Sequence, residues 1–96
     1  MTQTGTTQAR PPKPHKRSNA LTRAVGRQIW TNRVHVTKES QAQLAERIDR
    51  TQVTVSCWER GQHLPAWHDL RVLSDALGIP FETWPQLFEE HTKEAA

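Results

Sequence analysis

The stretch Thr51–Gly61, which reads T-Q-V-T-V-S-C-W-E-R-G, holds the residues best suited to touch another molecule. On a helix with about 100° between residues, one face of roughly 140° collects a mostly polar set. Its members are Gln52, Val53, Ser56, Cys57 and Arg60. The set is small and polar and ends in a cation, which suits an exposed contact surface. Val55, Trp58 and Glu59 lie on the opposite side, where the first two suit a buried face.

The ends of this stretch predict where the helix begins and stops. The Thr51 hydroxyl can accept a hydrogen bond from a first-turn amide, which is the role of an N-cap residue. Gly61 stands where a left-handed residue commonly ends a helix. The sequence therefore predicts a short helix over about 52–60, with one face for packing and one for contact.

The composition limits the chain to one small domain with a modest core. Of its 96 residues, 34% are hydrophobic, and each of the four tryptophans can bury a large area. No run approaches the ~18 apolar residues that a membrane span requires, and no signal-peptide pattern opens the chain. The single cysteine, Cys57, excludes an internal disulfide framework and fits a reducing compartment.

Charge is distributed unevenly along the chain. Residues 1–19 carry +4, residues 20–64 carry +3 from seven basic and four acidic residues, and residues 65–96 carry −4 from two basic and six acidic residues. A chain that is basic in its first two-thirds and acidic at its end can face a polyanion with one side only. The alternative is a solvated surface with a chance imbalance.

The N-terminal segment 1–17 combines low hydrophobicity with the run R-P-P-K-P-H-K-R, and we expect it to be disordered. Its basic residues are Arg10, Lys13, Lys16 and Arg17. They could form an arm that lies on phosphates or enters a minor groove. A plain disordered leader is an equal alternative.

The middle of the chain predicts two short helices ahead of the contact stretch. Ser18 or Asn19 can cap a helix from Ala20 to about 32–34, followed by a loop over 35–39. Ser40-Gln41-Ala42-Gln43 has the form of a capping box and opens a helix over about 41–48. Two short helices separated by a few residues, 41–48 and 52–60, are typical of a helix-turn-helix.

Two more helices follow Gly61. Pro65 stands near the start of the first, which Gly78 terminates. Its predicted inner face consists of Trp67, Leu70, Leu73, Ser74 and Leu77. Thr83 can cap a final helix that carries Trp84, Leu87 and Phe88, and 89–96 should fray. The predicted architecture is all-α, with about five short helices in a domain over 18–91 and a frayed tail over 92–96.

Residues Ser40–Ile79 resemble the Cro/CI-type (XRE, lambda-repressor-like) helix-turn-helix family. S-Q-A-Q-L-A at 40–45 matches the usual T-Q-x-x-L-A, and V-S-C-W-E-R-G at 55–61 matches I-S-x-W-E-x-G. Residues 65–79 match P-x-x-x-x-L-x-x-L-A-x-A-L-G-V, with Ser74 where Ala is usual. The resemblance implies a lambda-repressor-like DNA-binding fold whose second helix abuts the DNA backbone and whose third lies in the major groove.

The same resemblance implies roles for individual residues. The base-facing set would be Gln52, Val53, Ser56 and Cys57. The set that meets the DNA backbone would be Ser40, Gln41, Arg50, Thr51, Arg60, Gly61 and Gln62, the glycine and Gln62 through their amides. Glu59 would pair with an arginine near the end of the first helix, for which Arg33 is the candidate. Asp49 occupies a turn position where Gly is common, and Asp tolerates the left-handed conformation.

The predicted contact face differs in chemistry from residue to residue. Gln52 can bond an adenine at N7 and N6, and Val53 offers only apolar contact, for which a thymine methyl is the natural target. Cys57 is a weak hydrogen-bonding group. We therefore expect fewer direct base bonds than in many relatives, with DNA shape and phosphate contacts carrying more of the specificity.

Other chemistries find little support in the sequence. Cys57, His63 and His68 do not have zinc-ligand spacing, and no carboxylate pair or nucleophile motif stands out, so we expect neither a metal, a cofactor nor catalysis. Trp58 and Trp67 are predicted core residues. Trp84 and Phe88, with Leu87, could instead form a lid or the seam of a homodimer.

Two classes of function remain open at this point. The first is a sequence-specific regulator that binds a double-stranded DNA operator in a bacterial cytoplasm, most simply a small phage or prophage repressor or Cro-like protein. The second is an antitoxin that binds a toxin and represses its own operon. An adaptor that no longer binds DNA is disfavoured by Gln41, Gln52 and Arg60.

Overall fold

The computed structural model describes residues 13–92, and within that range it contains five α-helices and no strand. The elements are α1 (Ala20–Asn32), a π-helical turn (Arg33–Thr37), α2 (Gln41–Arg47), α3 (Gln52–Glu59), α4 (Trp67–Leu77) and α5 (Thr83–Thr92). The all-α prediction with about five helices is confirmed. Arg10, most of the predicted arm and residues 93–96 of the predicted tail lie outside the described residues.

Side-chain caps set the beginnings of the first three helices. Asn19 Oδ1 accepts from the Thr22 amide at 2.9 Å, and Thr22 Oγ1 accepts in return from the Asn19 amide at 2.8 Å. Ser40 and Gln43 make the same reciprocal pair at 3.0 and 2.8 Å, as the S-x-x-Q pattern predicted. Thr51 Oγ1 accepts from the Thr54 amide at 3.2 Å, which confirms Thr51 as the N-cap of α3.

The end of α1 differs from the predicted loop over 35–39. The chain continues in a π-helical turn through Thr37 and reverses at Lys38, which has φ of 58°. The Arg33 carbonyl accepts from the Glu39 amide at 3.1 Å and from the Thr37 hydroxyl at 3.2 Å. Residues 33–39 contain no glycine or proline, so no strong local signal ends the helix at Asn32. The chain instead passes into a wider π-helical turn.

The core lies where the inner faces of all five helices meet. Its fully buried members include Val25, Ile29, Leu44, Val55, Leu70, Leu73, Leu77 and Trp84. Burial of each aliphatic side chain stabilises the fold by about 1.5–3 kcal/mol. The helix pair α2–α3 is thereby fixed against α1 on one side, and α4 and α5 complete the enclosure.

The structure corrects the prediction for Trp67 and decides between the two alternatives for Trp84. Trp67, predicted as core, is 52% exposed and stacks on Phe88 with ring centroids 5.4 Å apart. It is the first residue of α4, at the rim of the core, although it shares a face with Leu70. Trp84, for which a lid over the core and a dimer seam were both open, is completely buried in the core, which agrees with the lid and excludes Trp84 from a surface between subunits. The final helix also continues to Thr92, past the predicted fraying point at Glu89.

Ser74, which departs from the alanine usual in the resemblance, has a clear structural reason. Its hydroxyl accepts the indole N–H of the buried Trp84 at 2.7 Å. Replacing Ser74 with alanine should lower the free energy of unfolding by about 1–3 kcal/mol, because a buried N–H is left without an acceptor. Chemical denaturation measures this loss, and a double-mutant cycle with Trp84→Phe should show that most of it disappears once the N–H is gone.

Candidate nucleic-acid interface

The two faces of α3 divide as the helical spacing predicted. Val55, Trp58 and Glu59 are buried, whereas Gln52 is exposed and Val53 is 71% exposed. Ser56 and Cys57 follow one turn later and are half-buried. The exposed Val53 side chain is therefore accessible to a ligand.

A buried ion pair anchors α3 to the end of α1. Arg33 Nε donates to Glu59 Oε2 at 2.6 Å and Arg33 Nη2 to Glu59 Oε1 at 2.9 Å. Both side chains are almost fully removed from solvent, and Arg33 Nη1 also donates to the Glu39 carbonyl at 2.8 Å. The pairing of Glu59 with Arg33 is confirmed. Its bidentate geometry fixes the orientation of α3 as well as its position.

Two glutamines extend this pair to the surface. Gln41 Nε2 donates to Glu59 Oε1 at 2.9 Å, and Gln52 Nε2 lies 3.5 Å from Gln41 Oε1. A carboxylate can only accept, so Gln41 must turn its NH₂ inward and its oxygen toward Gln52. Gln52 must then turn its own NH₂ toward Gln41. This leaves one N–H and the oxygen of Gln52 available, a donor and an acceptor side by side.

Four of the residues predicted to contact the DNA backbone already make hydrogen bonds within the chain. Ser40 and Thr51 are exposed, but their oxygens already serve as helix caps. The amides of Gly61 and Gln62 close α3 by donating to the carbonyls of Trp58 and Cys57 at 3.1 and 2.9 Å. Those two amides are therefore not free for a ligand, because they satisfy the last carbonyls of the helix.

Arg50, another predicted backbone contact, is paired within the chain. Its Nη2 and Nε lie 2.6 and 3.1 Å from Asp69 Oδ1, across the gap between the α2–α3 turn and α4. Both groups retain solvent access, so the pair is a weak one. An anion at this end of α3 would compete with Asp69 for the guanidinium.

Substitution of Asp69 by asparagine should therefore strengthen DNA binding. The change frees Arg50 and removes one negative charge, and the salt dependence of log affinity should steepen by about 0.9 if one phosphate contact is gained. Asp75→Asn is the matched control, because it removes the same charge from the exposed side of α4. Equal effects of the two variants would show that Arg50 gains no contact of its own.

The opposite end of α3 contacts the N-terminal segment, although the sequence predicts disorder over the whole of residues 1–17. The His15 amide donates to the Arg60 carbonyl at 2.8 Å, and the Ser18 amide donates to the His15 carbonyl at 2.9 Å. Partial burial lowers the pKa of His15, and the positive charges of Arg60, Arg17, Lys16 and His63 lower it further. His15 was not among the predicted site residues, and its only sequence signal is its place within a basic run.

Comparison with known families supports this geometry. A model of the family described as helix-turn-helix domain matches residues 35–83, just over half of the 96-residue chain. The chain belongs to the helix-turn-helix domain family. Searches of curated proteins and of solved structures each returned no match.

Within this helix-turn-helix domain, the matched region runs from the π-helical turn to the first residue of α5 and includes both α2 and α3. Domains of this kind place the second helix of the motif in the major groove of DNA, while the first crosses the backbone. In this chain those helices are α3 and α2. None of the helices between residues 13 and 92 is long and apolar enough to cross a membrane.

Proposed function

We propose that this protein is a sequence-specific, double-stranded DNA-binding transcriptional regulator, and that it blocks promoters at operator sites. The observation that carries the proposal is the oriented amide of Gln52, which the Glu59–Gln41 chain holds at the exposed start of α3. The free N–H and oxygen of that amide match the N7 acceptor and N6 donor of adenine. We propose more specifically that it is a small phage or prophage repressor or a Cro-like protein, acting in a bacterial cytoplasm.

The remaining contacts follow from the surface of α3. Val53 would meet a thymine methyl, with Ser56 and Cys57 one turn farther along the groove. Ser40, Gln41, Thr51 and Arg60 would lie near the phosphates, joined by Arg50 when Asp69 releases it. The arm residues Arg10, Lys13, Lys16 and Arg17 would add a sequence-independent attraction. With few direct base bonds available, DNA shape would contribute to specificity.

Replacing Gln52 with alanine tests this proposal directly. Binding to the preferred operator should weaken by about 1–3 kcal/mol, while binding to unrelated duplex should change little. Competition titration of the two DNAs against one protein sample gives both quantities. Gln86→Ala, at an exposed position on α5, is the control. Equal losses on both kinds of DNA would contradict a base contact by Gln52.

We propose that the protein binds a twofold-symmetric operator as a homodimer. The exposed Trp67 and its stacking partner Phe88 offer an apolar surface, and Leu87 is also partly accessible, whereas Trp84 is not. The same exposed aromatic surface is the observation that favours the second candidate function, an antitoxin that binds a toxin and represses its own operon. Co-purification with the product of a neighbouring gene, and loss of it in Trp67→Ser, would support the antitoxin.

A further inference from the structure

We propose that His15 and Arg60, flanked by Lys16, Arg17 and His63, form a phosphate-binding site at the carboxyl end of α3. Its ligand would be one phosphodiester of the DNA backbone, so the inference rests on the proposed function and adds to it a defined site in which His15 acts together with Arg60. The site would give the protein a second contact with DNA, at the end of α3 opposite Gln52.

One hydrogen bond holds the backbone of His15 and a second holds its ring. The His15 amide donates to the Arg60 carbonyl at 2.8 Å, and the ring nitrogen Nδ1 accepts from the Arg17 amide at 3.0 Å. Because Nδ1 accepts, the neutral ring carries its proton on Nε2, on the other side of the imidazole. The neutral ring thus offers a donor, Nε2–H, on a segment whose backbone is hydrogen-bonded to Arg60, without needing a positive charge on the ring.

The segment is docked against α3 by close backbone packing. Gly61 has φ of 78°, and a Cβ built there would lie 3.0 Å from Ser18 Cβ and 3.2 Å from Thr22 Oγ1. The absence of a side chain at Gly61 therefore lets the start of α1 approach the end of α3. This approach brings residues 15–18 to Arg60, and it does so in the free protein.

The charges that act on His15 are all positive, and they come from both the segment and the end of α3. Partial burial lowers the pKa of His15, and Arg60, Arg17, Lys16 and His63 lower it further, so positive charge lies close to the His15 ring. A bound phosphate oxygen would offset this charge and offer acceptors to this group of donors.

Titration of the full chain with inorganic phosphate, followed through the histidine ring nitrogens by NMR, tests the site. At pH 7 the His15 ring signals should shift saturably with phosphate and not with chloride at equal ionic strength, and Arg60→Gln should abolish the response. His91 on α5, which lies beside Glu90, should not respond. No phosphate-specific change at His15, or an equal change at His91, would overturn the proposal.

Binding to a duplex of arbitrary sequence supplies the second readout. Arg60→Gln and His15→Gln should each weaken it, and Arg60→Gln should reduce the slope of log affinity against log salt by about 0.9. His91→Gln is the matched control. An unchanged slope would overturn the site. Neither measurement requires an operator, so failure of the site and failure of sequence-specific recognition are separately visible.

Discussion

Glu59→Ala should lower the free energy of unfolding by about 3–5 kcal/mol, because it leaves the Arg33 guanidinium buried without its counter-charge. The carboxylate accepts from Arg33 at 2.6 and 2.9 Å and from Gln41 at 2.9 Å, so its loss removes three hydrogen bonds at once. For a small domain this is a large part of the total stability. Urea denaturation monitored by tryptophan fluorescence measures the change.

Replacing both members of the ion pair separates the effect of the buried charge on stability from the effect of packing. The double variant Arg33→Met and Glu59→Leu removes both charges and should recover much of the stability lost in Glu59→Ala. It should not recover DNA binding of normal specificity, because Gln41 no longer has an acceptor that orients it. A fully stable Glu59→Ala protein would show that the buried pair does not anchor α3.

Gly26→Ala should be the other strongly destabilising change, at about 3 kcal/mol. A Cβ on Gly26 would meet the Trp58 carbonyl and lie 2.6 Å from the Glu59 carbonyl oxygen, so α1 and α3 would have to separate. Both atoms belong to the backbone and cannot move aside as a flexible side chain would. The gain of about 1 kcal/mol in helix propensity is too small to offset the clash.

Gly78→Ala is the control for Gly26→Ala. No atom lies within 4 Å of a Cβ at Gly78, but its φ of 71° makes alanine unfavourable there by about 1–2 kcal/mol. The melting temperature of Gly26→Ala should therefore be well below that of Gly78→Ala. A stable Gly26→Ala protein would show that α1 and α3 are not in close backbone contact.

Local rules predicted much of the fold and the exposed face of α3. The caps at Ser40 and Thr51 and the division between Gln52 and Val55 each depend on residues within one or two turns. The left-handed conformation of Asp49, with φ of 60°, was implied by the resemblance. The Arg33–Glu59 pair came from resemblance rather than from local pattern. The predicted base and phosphate contacts remain predictions, because they concern a partner.

What sequence reasoning missed depends on tertiary packing. Trp67 and Trp84 both stand in the first turn of a helix beside apolar neighbours, and only the meeting of α4 and α5 decides which one is buried. By helix propensity alone Gly26 weakens α1, and only the close backbone contact between α1 and α3 shows why a glycine is needed there. The docking of His15 and the pairing of Arg50 with Asp69 likewise join segments that local pattern cannot relate.

Selection of bound duplexes from a random pool, with the full chain and Gln52→Ala in parallel, is the most direct test of sequence-specific binding through α3. We expect the unsubstituted protein to enrich one motif, and the variant to lose preference at a single A·T position while retaining the others. A twofold motif would also support the homodimer. Failure of the unsubstituted protein to enrich any sequence would contradict the proposed function and favour a role in protein binding.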